Sequence, residues 1–313
     1  NQISYAIPKA VYANGILKDK VLSAVYAGNK TSFAVDNNGF SYFWGKIWNS
    51  DENEQLLNLY PEKFVPEALI KDKNIVSISS NSKKACMLDS EGKAYCWGDL
   101  SMYGLQQHLL DFEEVDMSGV SGTKEVKSIE VGEDHACILT AEGKVYCWGV
   151  NYAGQLGTDT KNSSSVPVAV DTTGVLAGKK IVQIDSGRRR TCALDDAGSV
   201  YCWGAGMLGD GTNSTSYIPV KVDTSGVLKG KTIVFISSGS SHNCAIDSEG
   251  KVYCWGNNTF WQIGDGTNTD RLKPVKVDDK EVLYEKFIVS VSCGEKQTCA
   301  VDVDGKVYCW GSV

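Results

Sequence analysis

The 313-residue chain has little positive charge, few histidines and prolines, and no long apolar run. Its 31 Lys and Arg are outnumbered by 38 Asp and Glu, for a formal charge of −7. No basic stripe runs through it, so no nucleic-acid partner is expected. No stretch of 18 apolar residues is available to cross a bilayer as a helix. The signatures GxSxG and HExxH, the phosphate loop and the dinucleotide fingerprint are all missing. No enzyme, resident metal or cofactor is therefore expected. Heptads and low-complexity tracts are absent, and helix should be scarce. The chain opens NQISYAI, without a starting methionine or a signal peptide. It reads as a mature or trimmed ectodomain, with any anchor or pilus subunit left outside it.

What is present is repetition. CAVDVDGKVYCWG, from Cys299, has close copies starting at Cys86, Cys137, Cys192 and Cys244. FAVDNNGFSYFWG, from Phe33, is the same segment with phenylalanine at both cysteine positions. The WG tryptophans are Trp44, Trp97, Trp148, Trp203, Trp255 and Trp310, separated by 53, 51, 55, 52 and 55 residues. A period of this length marks stacked or ring-arranged units. A second marker lies out of phase. It is VPVAVD from Val166, IPVKVD from Ile218 and KPVKVD from Lys273, with looser copies at Val65 and Glu113. Its sixth copy, IPKAV, is Ile7 to Val11 near the N-terminus. A chain that begins and ends partway through a repeat predicts one all-β domain, 1–313. It should be a six-bladed β-propeller, its last blade closed by the Ile7–Val11 strand.

The hairpin HNCAIDSEGKVYCWG fixes its own register. DSEG is a type I turn followed by a left-handed glycine, Gly250. Asp247 then opposes Lys251, and Cys244 opposes Cys254 at a non-hydrogen-bonded position, where Cα atoms lie close enough for a disulfide. The expected bridges are Cys86–Cys96, Cys137–Cys147, Cys192–Cys202, Cys244–Cys254 and Cys299–Cys309. The Phe33 and Phe43 pair replaces one bridge as a directly opposed aromatic pair. Ten-residue spacing does not match the short knuckles of zinc sites, so cystine is preferred to metal. Five bridges imply an oxidising compartment, hence an extracellular or cell-surface location. Cys293 has no repeat partner; it is either a small buried residue near a strand end or a bond to another chain or to a removed segment. The Asp residues before each hairpin glycine read as turn residues. GDGTN at Gly209 and GDGTNTD at Gly264 lack calcium-loop spacing and read as plain turns.

GEDHACILTAEGKVYCWGVNYAGQLG, Gly132 to Gly157, resembles the repeat of the regulator of chromosome condensation family. The resemblance covers nearly the whole chain. It implies a β-propeller, commonly of seven blades, that binds proteins. Six repeats and the cysteines are departures, and the cysteines resemble those of secreted bacterial members. The family spans an exchange factor for a guanine-nucleotide-binding protein and an inhibitor of β-lactamase, so the fold does not select a function.

Binding positions are expected where the repeats diverge. The loops after WG carry Trp48, Leu56, Leu57 and Tyr60 in the first repeat. The second has Met102, Tyr103, Leu109 and Phe112, and the fifth has Phe260 and Trp261. These residues either pack on their own loops or form an aromatic binding patch. Loops before the first cysteine offer a second candidate face: Lys83, Lys84, Arg188, Arg189 and Arg190. That is either a solvated charge run or a site for an acidic or glycan partner. The reading is a protein-binding propeller, an adhesive ectodomain on a bacterial surface that recognises a protein or glycan on another cell. A secreted enzyme inhibitor is the alternative, and an exchange-factor-like regulator is disfavoured by the cystines.

Overall fold

The structure, a computed structural model, describes residues 15–27, 31–49, 54–63, 74–81, 84–98, 113–122 and 125–312. At 27, 31, 46–49, 54–60 and 98 only the backbone is described. The fold is an all-β, six-bladed propeller, and its blades fall into two compact units.

The first unit holds two blades. Blade 1 is β1 (Leu22–Ala27), β2 (Thr31–Asp36), β3 (Ser41–Asn49) and β4 (Glu54–Lys63). Blade 2 is β5 (Ile75–Ser80), β6 (Lys84–Asp89), β7 (Ala94–Gly98) and the two-residue β8 (Glu113–Glu114).

The second unit, Asp116–Ser312, holds the other four blades. Blade 3 is β9 (Val126–Val131), β10 (His135–Thr140), β11 (Val145–Gly149) and β12 (Ser164–Ala169). Blade 4 is β13 (Ile181–Ser186), β14 (Arg190–Asp195), β15 (Val200–Gly204) and β16 (Ser216–Lys221). Blade 5 is β17 (Ile233–Ser238), β18 (His242–Asp247), β19 (Val252–Gly256) and β20 (Arg271–Lys276). Blade 6 shows β21 (Ile288–Cys293), β22 (Gln297–Asp302) and β23 (Val307–Gly311). Each blade is an antiparallel meander. The out-of-phase marker supplies β8, β12, β16 and β20. Its copies at Val65 and at Ile7–Val11, with the ring closure expected of the latter, lie outside the described residues.

The hairpin register is the one the turn chemistry dictates. Cys244 opposes Cys254 and Ile246 opposes Val252. All five expected cystines form, each with a Cα separation of 4.1 Å. Phe33 opposes Phe43 in blade 1, with ring centroids 6.4 Å apart. The turn aspartate latches the hairpin. Asp247 Oδ1 accepts from the backbone N–H of Glu249 and Lys251, and Oδ2 accepts from the Tyr253 hydroxyl, each at 2.9 Å. Gly250 sits at φ +72°, where a Cβ would also strike Phe287. Asp36, Asp195 and Asp302 make the same three contacts with Tyr42, Tyr201 and Tyr308.

Alternation along the hairpin then builds the core. Cys192, Leu194, Val200 and Cys202 of blade 4 pack against Ala245, Tyr253 and Trp255 of blade 5. Blades 3 and 4 meet in the same way, with the Cys137–Cys147 bridge against Tyr201 and Trp203. In the first unit, Phe33 and Phe43 take the cystine's place against Tyr95 and Trp97. In blades 3 to 5 both faces of the hairpin are buried, and burying each large side chain contributes about 1.5–3 kcal/mol.

Candidate interaction surface at the loop end of the blades

The first hairpin strand starts where the second ends. The loop before the cysteine and the loop after WG therefore share one end of the blade. Backbone bonds join them: Val150 N–H to the Asp134 carbonyl, Ala205 to Arg189, Asn257 to Ser241 and Ser312 to Lys296, all at 2.9 Å. The two loop sets expected to mark separate faces form one end in blades 3 to 6. The opposite end carries the hairpin turns, aspartate-latched in blades 4 to 6.

The predicted basic spot is divided. Arg188 is exposed, and its Nε lies 2.6 Å from Glu133 Oε2 of the preceding blade, which raises its pKa further above its ordinary value. Arg189 is exposed. Arg190 is buried, 8 % exposed, as the first residue of β14. Lys84 is likewise buried as the first residue of β6. Both stand two positions before a buried cysteine and share its side of the strand. Neither belongs to a solvated patch. Lys83 lies outside the described residues.

The fifth loop is locked from inside. Asn258, fully buried, accepts from Ile263 N–H at 3.0 Å through Oδ1 and donates through Nδ2 to the Thr267 carbonyl at 2.8 Å. Gln262 Oε1 accepts from Phe260 N–H at 2.8 Å. Asn151 and Gln155 do the same in blade 3. The rigid turn holds Phe260 half-buried and Trp261 57 % exposed. Lys296 Nζ lies 4.6 Å from the Phe260 ring centroid. One residue of each expected face thus meets in a cation–π contact.

Trp261 adopts φ +58°, the left-handed conformation that Gly154 takes at +76° in blade 3. A bulky residue there is a strained exception. Tyr152 is 70 % exposed on the blade 3 loop, and the Tyr217 hydroxyl donates to its carbonyl at 3.3 Å. The sequence reading missed Tyr152 because it sits inside a loop that keeps the repeat pattern.

Trp48, Leu56, Leu57 and Tyr60 were expected in an irregular loop. Their backbone instead forms the extended β3–β4 pair, with Trp48 opposite Gln55, Ile47 opposite Leu56 and Lys46 opposite Leu57. Met102, Tyr103, Leu109 and Phe112 lie outside the described residues. At the GDGT turns, Asp210 and Asp265 accept from the backbone and hydroxyl of Thr212 and Thr267, and Asp265 also pairs with Arg271. His242, Cys244 and Cys293 place potential ligand atoms within 4.8 Å of one another, but the Cys244 sulfur is committed to its bridge. Cys293 ends β21, where its N–H donates to Ser237 Oγ at 3.1 Å and burial pushes its thiol pKa up. Among the described residues no helix is long and apolar enough to cross a membrane.

Blades of four antiparallel strands with this hairpin and this glutamine-locked loop define a repeat propeller whose unit is the WG hairpin. The chain belongs to the regulator of chromosome condensation (RCC1) repeat family. The family's repeat model matches residues 142–194, 197–246 and 249–301, and a second model of the repeat matches 126–155 and 233–262. It is 31 % identical over 248 residues to the ultraviolet-B receptor UVR8 of Arabidopsis thaliana, covering 76 % of this chain and 53 % of that protein. The chain therefore spans about half of that relative's length. Human WBSCR16 has the same fold, with a TM-score of 0.78 and 21 % identity over 94 % of this chain and 77 % of that one. Yeast RCC1 (Prp20), solved with Kap60, has a TM-score of 0.72 and 19 % identity over 93 % and 70 %. A propeller of this family is a general protein-interaction fold.

Proposed function

We propose that this chain is a non-catalytic, protein-binding propeller of an oxidising compartment. It presents the loop end, centred on Phe260, Trp261 and Lys296, to a macromolecule on another cell surface, as an adhesive ectodomain does. The observation that carries the reading is Trp261. A large aromatic side chain is held out to solvent on a strained backbone where the blade 3 copy has glycine. Strain that does not serve packing points to a selected surface role, and tryptophan is enriched among interface anchors. Five cystines support the compartment. Yeast RCC1, which shares the fold, has been solved with the protein Kap60 bound.

The test is a binding screen against panels of cell-surface proteins and glycans, repeated with Trp261→Ala and Phe260→Ala. Tyr284→Ala serves as a control for other exposed aromatics, since Tyr284 is 61 % exposed outside this loop. Loss of binding by the loop variants alone supports the proposal. Binding that survives both loop variants and falls with Tyr284→Ala contradicts it. Non-reducing peptide mapping of the protein from its native source tests the compartment, with all five bridges expected.

A further inference from the structure

Three successive blade junctions follow one plan, and the middle one lacks a part. Between blades 3 and 4, His135 Nε2 lies 2.8 Å from Thr191 Oγ1. Thr191 Oγ1 donates to the Gln155 carbonyl at 3.2 Å, and Trp203 Nε1 donates to the same oxygen at 3.0 Å. Between blades 5 and 6 the arrangement recurs. His242 Nε2 lies 2.8 Å from Thr298 Oγ1, and Thr298 and Trp310 both donate to the Gln262 carbonyl, at 2.7 and 3.0 Å. One carbonyl from the loop of the preceding blade seals two donors of the next.

Between blades 4 and 5 the same positions hold Arg190, Asn243 and Trp255. The loop that should supply the carbonyl is shorter: Gly204 to Gly209 stands for Gly149 to Gly157. The frame is otherwise kept. Gly209 lies against the Trp255 indole as Gly157 lies against Trp203, so near that a Cβ at either would fall 2.7 or 2.9 Å from the indole nitrogen. Yet no acceptor meets the indole N–H here. Trp255 Nε1, Asn243 Nδ2, and Arg190 Nε and Nη1 are all buried with no hydrogen-bond partner. Trp255 is fully enclosed and Asn243 is 1 % exposed. Four buried donor nitrogens with no acceptor, two of them on one charged guanidinium, are a costly arrangement that native structures avoid by supplying a partner.

We propose that the junction of blades 4 and 5 binds one small monovalent anion, its acceptor atom occupying the place that the Gln155 and Gln262 carbonyls take at the neighbouring junctions. Trp255 and Asn243 are both buried, so the ligands to try are small ones, a halide or formate. The charge balance agrees. Burial alone brings the Arg190 pKa down to about 10, with no carboxylate to offset it. Burial, reinforced by the Arg190 charge, holds His242 near 3, so the histidine beside it remains neutral. One buried cation therefore calls for one anion.

The test uses the oxidised chain, 15N-labelled and exchanged into a Tris–HEPES buffer free of small anions, then titrated with sodium chloride or sodium formate. The Trp255 indole N–H resonance is expected to move saturably with one of them, and the thermal midpoint should rise in parallel, as binding to the native state requires. Which salt saturates it identifies a halide or a carboxylate source. The variant R190H/N243T restores the His–Thr pair of the other junctions, so it is expected to fold. It should bind at least about tenfold more weakly. Absence of a saturable shift with either salt overturns the proposal, as does an unchanged titration in the double variant.

Discussion

The two ends of each blade are made by the same strands yet serve different ends. At the turn end the chain repeats itself. Asp36, Asp195, Asp247 and Asp302 each take two backbone N–H groups and one tyrosine hydroxyl. Even blade 3, with Thr140 there, keeps the turn: Lys144 N–H reaches Thr140 Oγ1 at 3.3 Å, and the Tyr146 hydroxyl reaches the Ser121 carbonyl at 3.0 Å. At the loop end, backbone bonds keep the frame while the side chains differ from blade to blade. The difference teaches that hairpin register and blade packing are set at one end, and that chemistry can vary at the other without unmaking the fold.

The largest effect is expected in blade 1. Phe33 is fully buried and stands in for a cystine. Phe33→Ala should cost about 3–5 kcal/mol, read by denaturant unfolding. Removing a true cystine with Cys244→Ala and Cys254→Ala should cost less, about 2.5–3 kcal/mol, because the closed loop is short. A smaller effect follows pH. The carboxyl pKa values of Asp36 and Asp302 are lowered from 3.8: burial works to raise them, but backbone N–H groups, a tyrosine hydroxyl and a lysine together outweigh it. A depressed folded pKa contributes stability that is present above the unfolded value and lost as pH falls through the folded one. Thermal midpoints should therefore drop below about pH 4, and Asp302→Asn should flatten part of that drop. The smallest effect has the opposite sign. Trp261→Gly relieves the left-handed strain and should add about 0.5–1 kcal/mol in thermal unfolding while weakening partner binding.

Much of the turn end was legible in the sequence. A left-handed glycine three residues after an aspartate fixes the hairpin register, and the register brings cysteines ten apart into opposition. The Phe33 and Phe43 exchange was readable for the same reason. The loop end was legible only in part. Lys83–Lys84 and Arg188–Arg190 look like charge runs in one dimension. The pleat nevertheless turns Lys84 and Arg190 inward beside Cys86 and Cys192, and among the described residues of these runs only Arg188 and Arg189 reach solvent. Hairpin parity places both loop sets at one end, although they are far apart in the repeat. Neither the exposure of Trp261 nor the missing carbonyl at Trp255 can be read without three-dimensional neighbours, since each depends on how an adjacent blade approaches.

The division of labour between the two ends is tested most directly by one measurement, the thermal midpoint of F260A/W261A beside that of C244A/C254A. The loop variant is expected to stay within about 2 °C of the parent, since it removes surface contacts. The cystine variant should fall by about 5–12 °C, taking about 2–4 °C per kcal/mol for a chain of this order of size. A loop variant that melts as early as the cystine variant would contradict the account and make the loop end part of the scaffold.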